Sequence, residues 1–447
     1  MVNIQTLKEI IVSNEDFINK EIGKPIPREG LTFPKSANKV VVFYGVRRSG
    51  KTFILYDLFQ RYEGRALYID FEDDRLSQFE TKDFERLKHA FFELKPHLAQ
   101  KGGAVFLLDE VQIVDGWEKF CRRAVEREGF KVFVSGSSSK VMPGEIQTEL
   151  RGRSWNLEIL PFSFAEYVRL KGHDPSSEDI LYGKGRVVVK QLFSQYAKWG
   201  GFPEVCLADS EFGRRKILKE YLEAMFFKDM VERYRITNIS LLDVLFDKVF
   251  ASFSTKMSLN SFYRQYHDKL PFSKDILFQY YRHLLQSMLI SDMRMFAESS
   301  YRRMRNPAKL YPIDIGLCRR ITSADFGRIL ENIVFLELKR RGNENFYFSG
   351  QNECDFISKT PENIYIPCQV CHDMHEDNRE REIRGLTEAC MHLNVREGFI
   401  LTSNEEDEIY VNDIQITVMP VWRWLLLPQR DAGVIDKQKK MRRPNNG

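Results

Sequence analysis

The chain has 447 residues, 43% hydrophobic and 13% aromatic, which is enough to fill packed cores in two to four domains. Its formal net charge of +4 excludes a polycation, so any nucleic-acid contact must come from local patches. Seven scattered cysteines argue against a disulfide framework and for a reducing, cytoplasmic setting, and no apolar run matches a signal peptide or a membrane span.

Residues 1–36 read as a helix and a linker punctuated by Pro25, Pro27 and Pro34. A buried-type strand over 40–44 then runs into Gly45-Val46-Arg47-Arg48-Ser49-Gly50-Lys51-Thr52, the G-x-x-x-x-G-K-T pattern of a phosphate-binding loop. Such a loop cradles a nucleotide triphosphate with backbone N–H groups, so Gly45 and Gly50 are needed for close approach. The loop opens an amphipathic helix from Phe53 onward, whose N-terminus favours anions. Lys51 is placed to reach the outer phosphates and Thr52 to offer its hydroxyl to Mg²⁺.

Further strands are predicted at 66–71, 104–108, 131–135 and 155–160, alternating with helices up to residue 168. This rhythm implies an α/β three-layer sandwich around a parallel sheet, with its ligand at the carboxyl ends of the strands. The strand at 104–108 ends in Asp109-Glu110. An acid there can hold Mg²⁺ and the next can orient water, so Asp109 is assigned to the metal and Glu110 to the attacking water. Ser137, just past the fourth strand, is a candidate γ-phosphate sensor.

Residues 169–321 are mostly helical. Helices at 241–253, 259–267 and 274–289, an apolar strand at 288–290, a basic loop at 301–305 and a strand at 309–313 spell a winged helix-turn-helix. Arg294, Arg302, Arg303, Arg305 and Lys309 form a basic cluster suited either to DNA phosphates or to a domain contact. Residues 322–430 switch to a helix at 327–341, strands at 345–349, 353–358 and 365–371, another helix, and strands at 398–402 and 416–420. The basic tail, 431–447, reads as a segment without a packed core.

In order along the chain, residues 45–52, 68–73, 107–112, 135–139, 150–153, 161–164, 200–204 and 226–234 resemble a prokaryotic family of AAA-type ATPases. The resemblance covers nearly all of 37–427. It implies ATP as ligand with Mg²⁺, and a C-terminal region made of a winged helix and a restriction-nuclease-like α/β fold. Arg151 and Arg153 are candidates for an arginine finger, used within the chain or in a neighbour's site of a homo-oligomer. Glu72 and Asp73 end the second strand, where they either face the metal or cap the next turn.

In the nuclease-like fold, Glu331 and Asp355 match the first two metal-holding positions. Where a Glu-x-Lys would follow, the chain has Gln369-Val370-Cys371, a weak ligand and a residue that supplies no fixed cation, so nuclease activity is not expected. Cys368-x-x-Cys371-His372 spells a haem motif, and His375 extends it to a partial zinc pattern. Residues three apart on a strand point to opposite faces, so an ordinary strand and turn is expected. The leading functional expectation is an Mg²⁺-dependent ATPase. Its competitors are a slow nucleotide-gated switch and an ATP-dependent DNA-processing protein.

Overall fold

The computed structural model describes residues 2–35, 38–137, 148–318 and 326–428. The basic tail at 431–447, and Ser138 and Ser139 of the serine-rich turn, lie outside the described residues. The chain divides into two compact units, Met1–Pro161 and Phe162–Gly447.

The first unit is built on five parallel strands, β1 (Val40–Tyr44), β2 (Ala66–Asp70), β3 (Val105–Asp109), β4 (Lys131–Gly136) and β5 (Ser154–Glu158), in the order β2-β3-β4-β1-β5. Its helices are α1 (Ile4–Lys20), α2 (Lys51–Arg61), α3 (Asp83–Leu94) and α4 (Trp117–Glu126). The strands are apolar on both faces because both faces are covered. Val40 and Val42 pack with Leu7 and Ile10 of α1, Phe84 and Leu87 of α3 and Phe120 of α4. Val41 and Phe43 point the other way, into a cluster with Ile54, Leu55 and Leu58 of α2. Residues 1–36, expected as a separate helix and linker, thus put α1 into the core of the sheet unit.

The second unit carries a nine-stranded mixed sheet. Its strands are β6 (Lys256–Met257), β7 (Ile290–Met295), β8 (Ala308–Pro312), β9 (Glu344–Ser349), β10 (Glu353–Lys359), β11 (Tyr365–Val370), β12 (Glu397–Thr402), β13 (Asp407–Val411) and β14 (Ile414–Pro420). They lie in the order β13-β14-β12-β11-β10-β9-β7-β8-β6. The helices Ile239–Ala251, Leu259–Tyr266 and Lys274–Gln286 precede β7, with β6 between the first two. The predicted strand at 288–290 begins later, because the third helix stops at Gln286 and Met288 takes a left-handed turn at φ 61°. The basic loop at 301–305 forms a short helix, Ser300–Arg305. Strand β7 pairs antiparallel with β8 and parallel with β9, so residues 169–321 and 322–430, expected as separate domains, share one sheet.

Two of the sequence motifs meet in this unit. Ser163 caps the helix Phe164–Leu170, exchanging hydrogen bonds with Glu166 in a capping box. Phe162 N–H donates to the Gly201 carbonyl at 2.7 Å. Gly200 takes φ 79°, and a Cβ there would lie 1.7 Å from Asp314 Oδ1, so only glycine fits. Asp314 is buried and accepts from the Gly201 N–H at 2.7 Å and the Gly316 N–H at 2.8 Å.

Burial pushes the Asp314 carboxyl up to about 7, against the two amides that favour its anion. A carboxyl raised from 3.8 binds its proton more tightly folded than unfolded, so its contribution is full at low pH and is lost as pH rises through about 7. The melting temperature of the wild-type chain should fall between about pH 5 and about pH 8, and Asp314→Asn should flatten that slope while lowering the whole curve. Parallel pH profiles of wild type and variant would remove this role from Asp314.

Candidate functional site

The glycine loop leaves β1 at Tyr44 and enters α2 at Lys51. Gly45 has φ 151°, and a Cβ there would meet the Ile159 carbonyl oxygen at 2.3 Å. Gly50 at φ 95° and Arg48 at φ 66° turn the chain into the helix. Lys51 is buried, and its ammonium donates to the Gly45 carbonyl at 3.1 Å and the Val46 carbonyl at 2.9 Å. The Ser49 hydroxyl is wholly buried and has no hydrogen-bond partner among the described residues. A buried unpaired hydroxyl within a glycine-lined loop fits a loop shaped for a polar ligand. Val46 is buried, Arg47 reaches Glu72 at 3.9 Å, and Phe53 turns outward with its ring edge-on to Tyr56.

Strand register assembles the acidic half of the site. Asp70 pairs with Asp109, and Phe43 pairs with Ser135. Leu108 pairs with Val134, so Asp109 and Ser135 stand side by side. Asp109 is 1% exposed. It accepts from the Ser135 hydroxyl and from the Tyr68 hydroxyl at 3.0 Å, and the Thr52 hydroxyl lies close enough to favour its anion. Burial pushes its carboxyl above the usual range, the Ser135 hydroxyl pulls it back, and the Glu110 charge adds to the rise. Asp109 Oδ1 also accepts from the Glu110 N–H at 3.2 Å, so its donors among the described residues are neutral, an arrangement that fits a bound cation. Thr52 and Asp109, assigned to one metal from the sequence, are brought together.

Glu110 sits in a left-handed turn at φ 47°. Its Oε2 accepts from the Ser137 hydroxyl at 3.0 Å and from the Gln112 amide. Ser137 therefore belongs to the same site. Asp70 was not singled out in the sequence. Its carboxyl is pushed up to about 6 by burial and by the Asp109, Glu72 and Glu110 charges, with the Glu72 amide opposing. Asp73 caps the turn Asp74–Leu76 and pairs with Arg75. Arg28, from the expected linker, donates to the Ser49 carbonyl at 2.8 Å and the Leu160 carbonyl at 2.5 Å, and so braces the loop.

The arginine-finger candidates lie elsewhere. Val40 pairs with Ser154 and Tyr44 with Glu158, so Arg151 and Arg153 precede β5 at the amino end of the sheet. The glycine loop is at the other end, about 16 Å away along a five-residue strand. Arg153 pairs with Glu126 at 2.9 Å, and Arg151 is exposed. Completion of the chain's own site by either arginine is therefore corrected by strand register.

In the second unit, Glu331 and Asp355 do converge. Asp355 leaves the ladder at a bulge in β10 between Cys354 and Ile357. Lys309 of β8, expected on the basic surface, is instead 4% exposed. Its ammonium lies 2.8 Å from Asp355 Oδ1, 3.1 Å from Glu331 Oε1 and 3.2 Å from Glu353 Oε1. Burial works against the Lys309 charge, but the Asp355 and Glu331 carboxylates outweigh it and hold the ammonium well above its ordinary range. The Tyr311 hydroxyl donates to Glu331 Oε1 at 2.7 Å, and the Val370 N–H to Asp355 Oδ2 at 3.1 Å. Gln369 accepts from the Asp355 N–H at 3.0 Å and donates to Glu382. Cys371 is buried in the core with Phe346 and Leu386, and burial raises its thiol to about 12. Of the basic cluster, Arg294 pairs with Asp292, and Arg302 and Arg305 are exposed.

The parallel sheet, glycine loop and paired acids define an AAA-type P-loop ATPase fold, and residues 37–168 match the family model described as an AAA domain. Residues 190–326 match a domain of unknown function. The chain belongs to one family with an uncharacterised protein of Methanocaldococcus jannaschii, 35% identical over 439 residues that span 94% of this chain and 95% of that one. An uncharacterised protein of Haemophilus influenzae is 27% identical over 404 residues, spanning 87% and 95% of the two chains. Among solved structures, the Walker-type ATPase of Pyrococcus abyssi is similar at a TM-score of 0.40 and 13% identity, covering 72% of this chain and 96% of that one. No helix among the described residues is long and apolar enough to cross a membrane.

Gly45→Ala should cost about 1–3 kcal/mol, because its methyl would overlap the Ile159 carbonyl. Thermal unfolding measures this, and an unchanged melting temperature would show that the loop can shift aside.

Proposed function

We propose that the chain is an Mg²⁺-dependent ATPase of the AAA type, with its nucleotide state coupled to a winged-helix and nuclease-like second unit. The observation that carries this reading is the meeting of Thr52 and Asp109 beside the glycine loop, with Glu110 held next to them. The amides of residues 45–52 bind the phosphates at the N-terminus of α2. Lys51 exchanges its carbonyl partners for phosphate oxygens, and Ser49 offers its buried hydroxyl to the same ligand. Thr52 and Asp109 hold the cation. When bound, Mg²⁺ supplies the divalent charge that offsets the β- and γ-phosphate oxygens. Glu110, its carboxylate direction fixed by Ser137 and Gln112, orients the attacking water.

Arg151 and Arg153 serve a neighbour's site in this reading, because their own loop is at the far end of the sheet. That use requires a homo-oligomer in which one protomer's amino end meets the next protomer's carboxyl end. The helix–strand–helix–helix–strand–strand order of residues 239–312, with β6 and β7 both paired to β8, supports the winged-helix reading. Arg302, Arg303 and Arg305, on the short helix between β7 and β8, are its candidate contacts to DNA phosphates. The convergence of Glu331, Asp355 and Gln369 supports the nuclease-like reading, and the neutral Gln369 argues against cutting.

Phosphate release with and without DNA tests the assignment. Lys51→Ala should reduce turnover by about a hundredfold or more, and Glu110→Gln should keep ATP bound without hydrolysing it. Full turnover in Lys51→Ala would end the ATPase reading. If the arginines act in a neighbour, Lys51→Ala mixed with the Arg151→Ala/Arg153→Ala protein should recover part of the lost rate, since a mixed assembly contains sites with both parts intact. A mixture no more active than its components would reject a finger in trans.

A further inference from the structure

We propose that the Lys309 ammonium is a built-in counter-ion seated where the nuclease-like site would hold a divalent cation, so that wing strand β8 closes this site to metal. The inference rests on the reading of residues 326–428 as a nuclease-like fold without catalysis. Three carboxylates supplied by different elements converge on one nitrogen. Glu331 comes from the helix Phe326–Arg340, while Glu353 and Asp355 come from β10. Their oxygens stand 2.8 to 3.2 Å from Lys309 Nζ, spread around a single point. Carboxylates gathered this closely repel unless a cation lies among them. Lys309 is that cation, and it enters from β8, which β9 and β7 separate from β10 in the sheet order.

The other valences around the cluster are also committed. Asp355 Oδ2 accepts from the Val370 N–H at 3.1 Å, and Glu331 Oε1 from the Tyr311 hydroxyl at 2.7 Å. Glu353 Oε2 is held by Lys256 of β6 at 2.6 Å. Two lysines from the wing strands β6 and β8 therefore engage the acids of β10. The nuclease pattern carries its lysine on the strand that here bears Gln369 and Cys371. In this chain the positive charge arrives from β8 and contacts the acids directly, at the point between them where a metal would sit. The ion cluster also pins the wing to the C-terminal half of the sheet, so withdrawal of β8 would uncover the carboxylates.

The test is thermal unfolding of the full chain, without nucleotide, against increasing Mn²⁺. Asp355→Asn serves as the reference, because it leaves Asp109 and Thr52 in place and metal bound there cancels. Wild type should show no Mn²⁺-dependent rise beyond that reference. Lys309→Met should melt lower than wild type and gain a rise with Mn²⁺, and Lys309→Met/Asp355→Asn should lose that gain. A folded Lys309→Met without the rise would overturn the proposal, as would a wild-type rise that Asp355→Asn removes. Should Lys309→Met fail to fold, the wild-type comparison with Asp355→Asn decides alone: equal curves support the inference, and a rise specific to wild type overturns it. Mn²⁺-dependent DNA cutting by wild type would sink the reading of a lost nuclease, whereas a metal-silent Lys309→Met sinks only the role given to Lys309.

Discussion

The parallel register of β2, β3, β4 and β1 is the constraint on which the first unit depends. It sets Asp70, Asp109, Ser135 and Phe43 in one row at the carboxyl ends of the strands. Backbone pairing is periodic, so once Val40 to Phe43 are seated the position of Ser135 follows, and with it the hydroxyl that reaches Asp109. Shifting β3 by one residue would turn Asp109 onto the opposite face and expose Leu108 in its place. The apolar content of these strands therefore does more than fill a core. Val40 and Val42 on one face, and Val41 and Phe43 on the other, lock the register that builds the site.

The second unit is held by a different constraint, which is the continuity of its sheet through β7. A short parallel contact, Arg294 with Phe346 and Met295 with Tyr347, joins β6, β7 and β8 to the C-terminal strands. Two bonded pairs alone are a weak link. Lys309 and Lys256 reinforce it by reaching the acids of β10, and the buried Tyr311 ring stacks on Phe335 of the helix that carries Glu331. Polar and apolar contacts thus act on the same joint. The Gly200–Asp314 contact performs the same task at the other end of β8, where the missing Cβ lets the carboxylate approach two backbone amides.

What could be read from the sequence was what the chemistry requires to be contiguous. A phosphate cradle is a loop of successive amides, so residues 45–52 announce themselves, and an acid at a strand end is visible beside its apolar run. Groups that act through tertiary contact gave no such signal. Arg28 braces Leu160 from 132 residues away, and Tyr68 reads as one more aromatic in a strand until register brings it to Asp109. Lys309 was read with its basic neighbours because a lysine among arginines suggests a solvated patch. Its burial follows because both faces of β8 are covered, all five residues being buried, and alternation turns Lys309 and Tyr311 to the same side. The arginine candidates are a different case. Nearness to β5 in sequence says nothing about which end of a parallel sheet a loop occupies until the register is known.

The two units surround a buried carboxylate in opposite ways. Asp109 accepts from the Ser135 and Tyr68 hydroxyls and the Glu110 N–H, with the Thr52 hydroxyl close by, and none of these groups carries a charge. Burial first, and then the Glu110 charge, holds its carboxyl above the usual range, and in the reading proposed above an incoming divalent cation would offset both. Asp355 has a lysine at 2.8 Å and a backbone amide at 3.1 Å. A metal there would first have to displace an ammonium already buried with its partners, and the displaced charge would have no solvent to enter. An aspartate at the carboxyl end of β3 thus has neutral donors in one unit, and one at a bulge near the start of β10 has a lysine in the other. The distinguishing factor is the charge of the neighbours that the fold delivers.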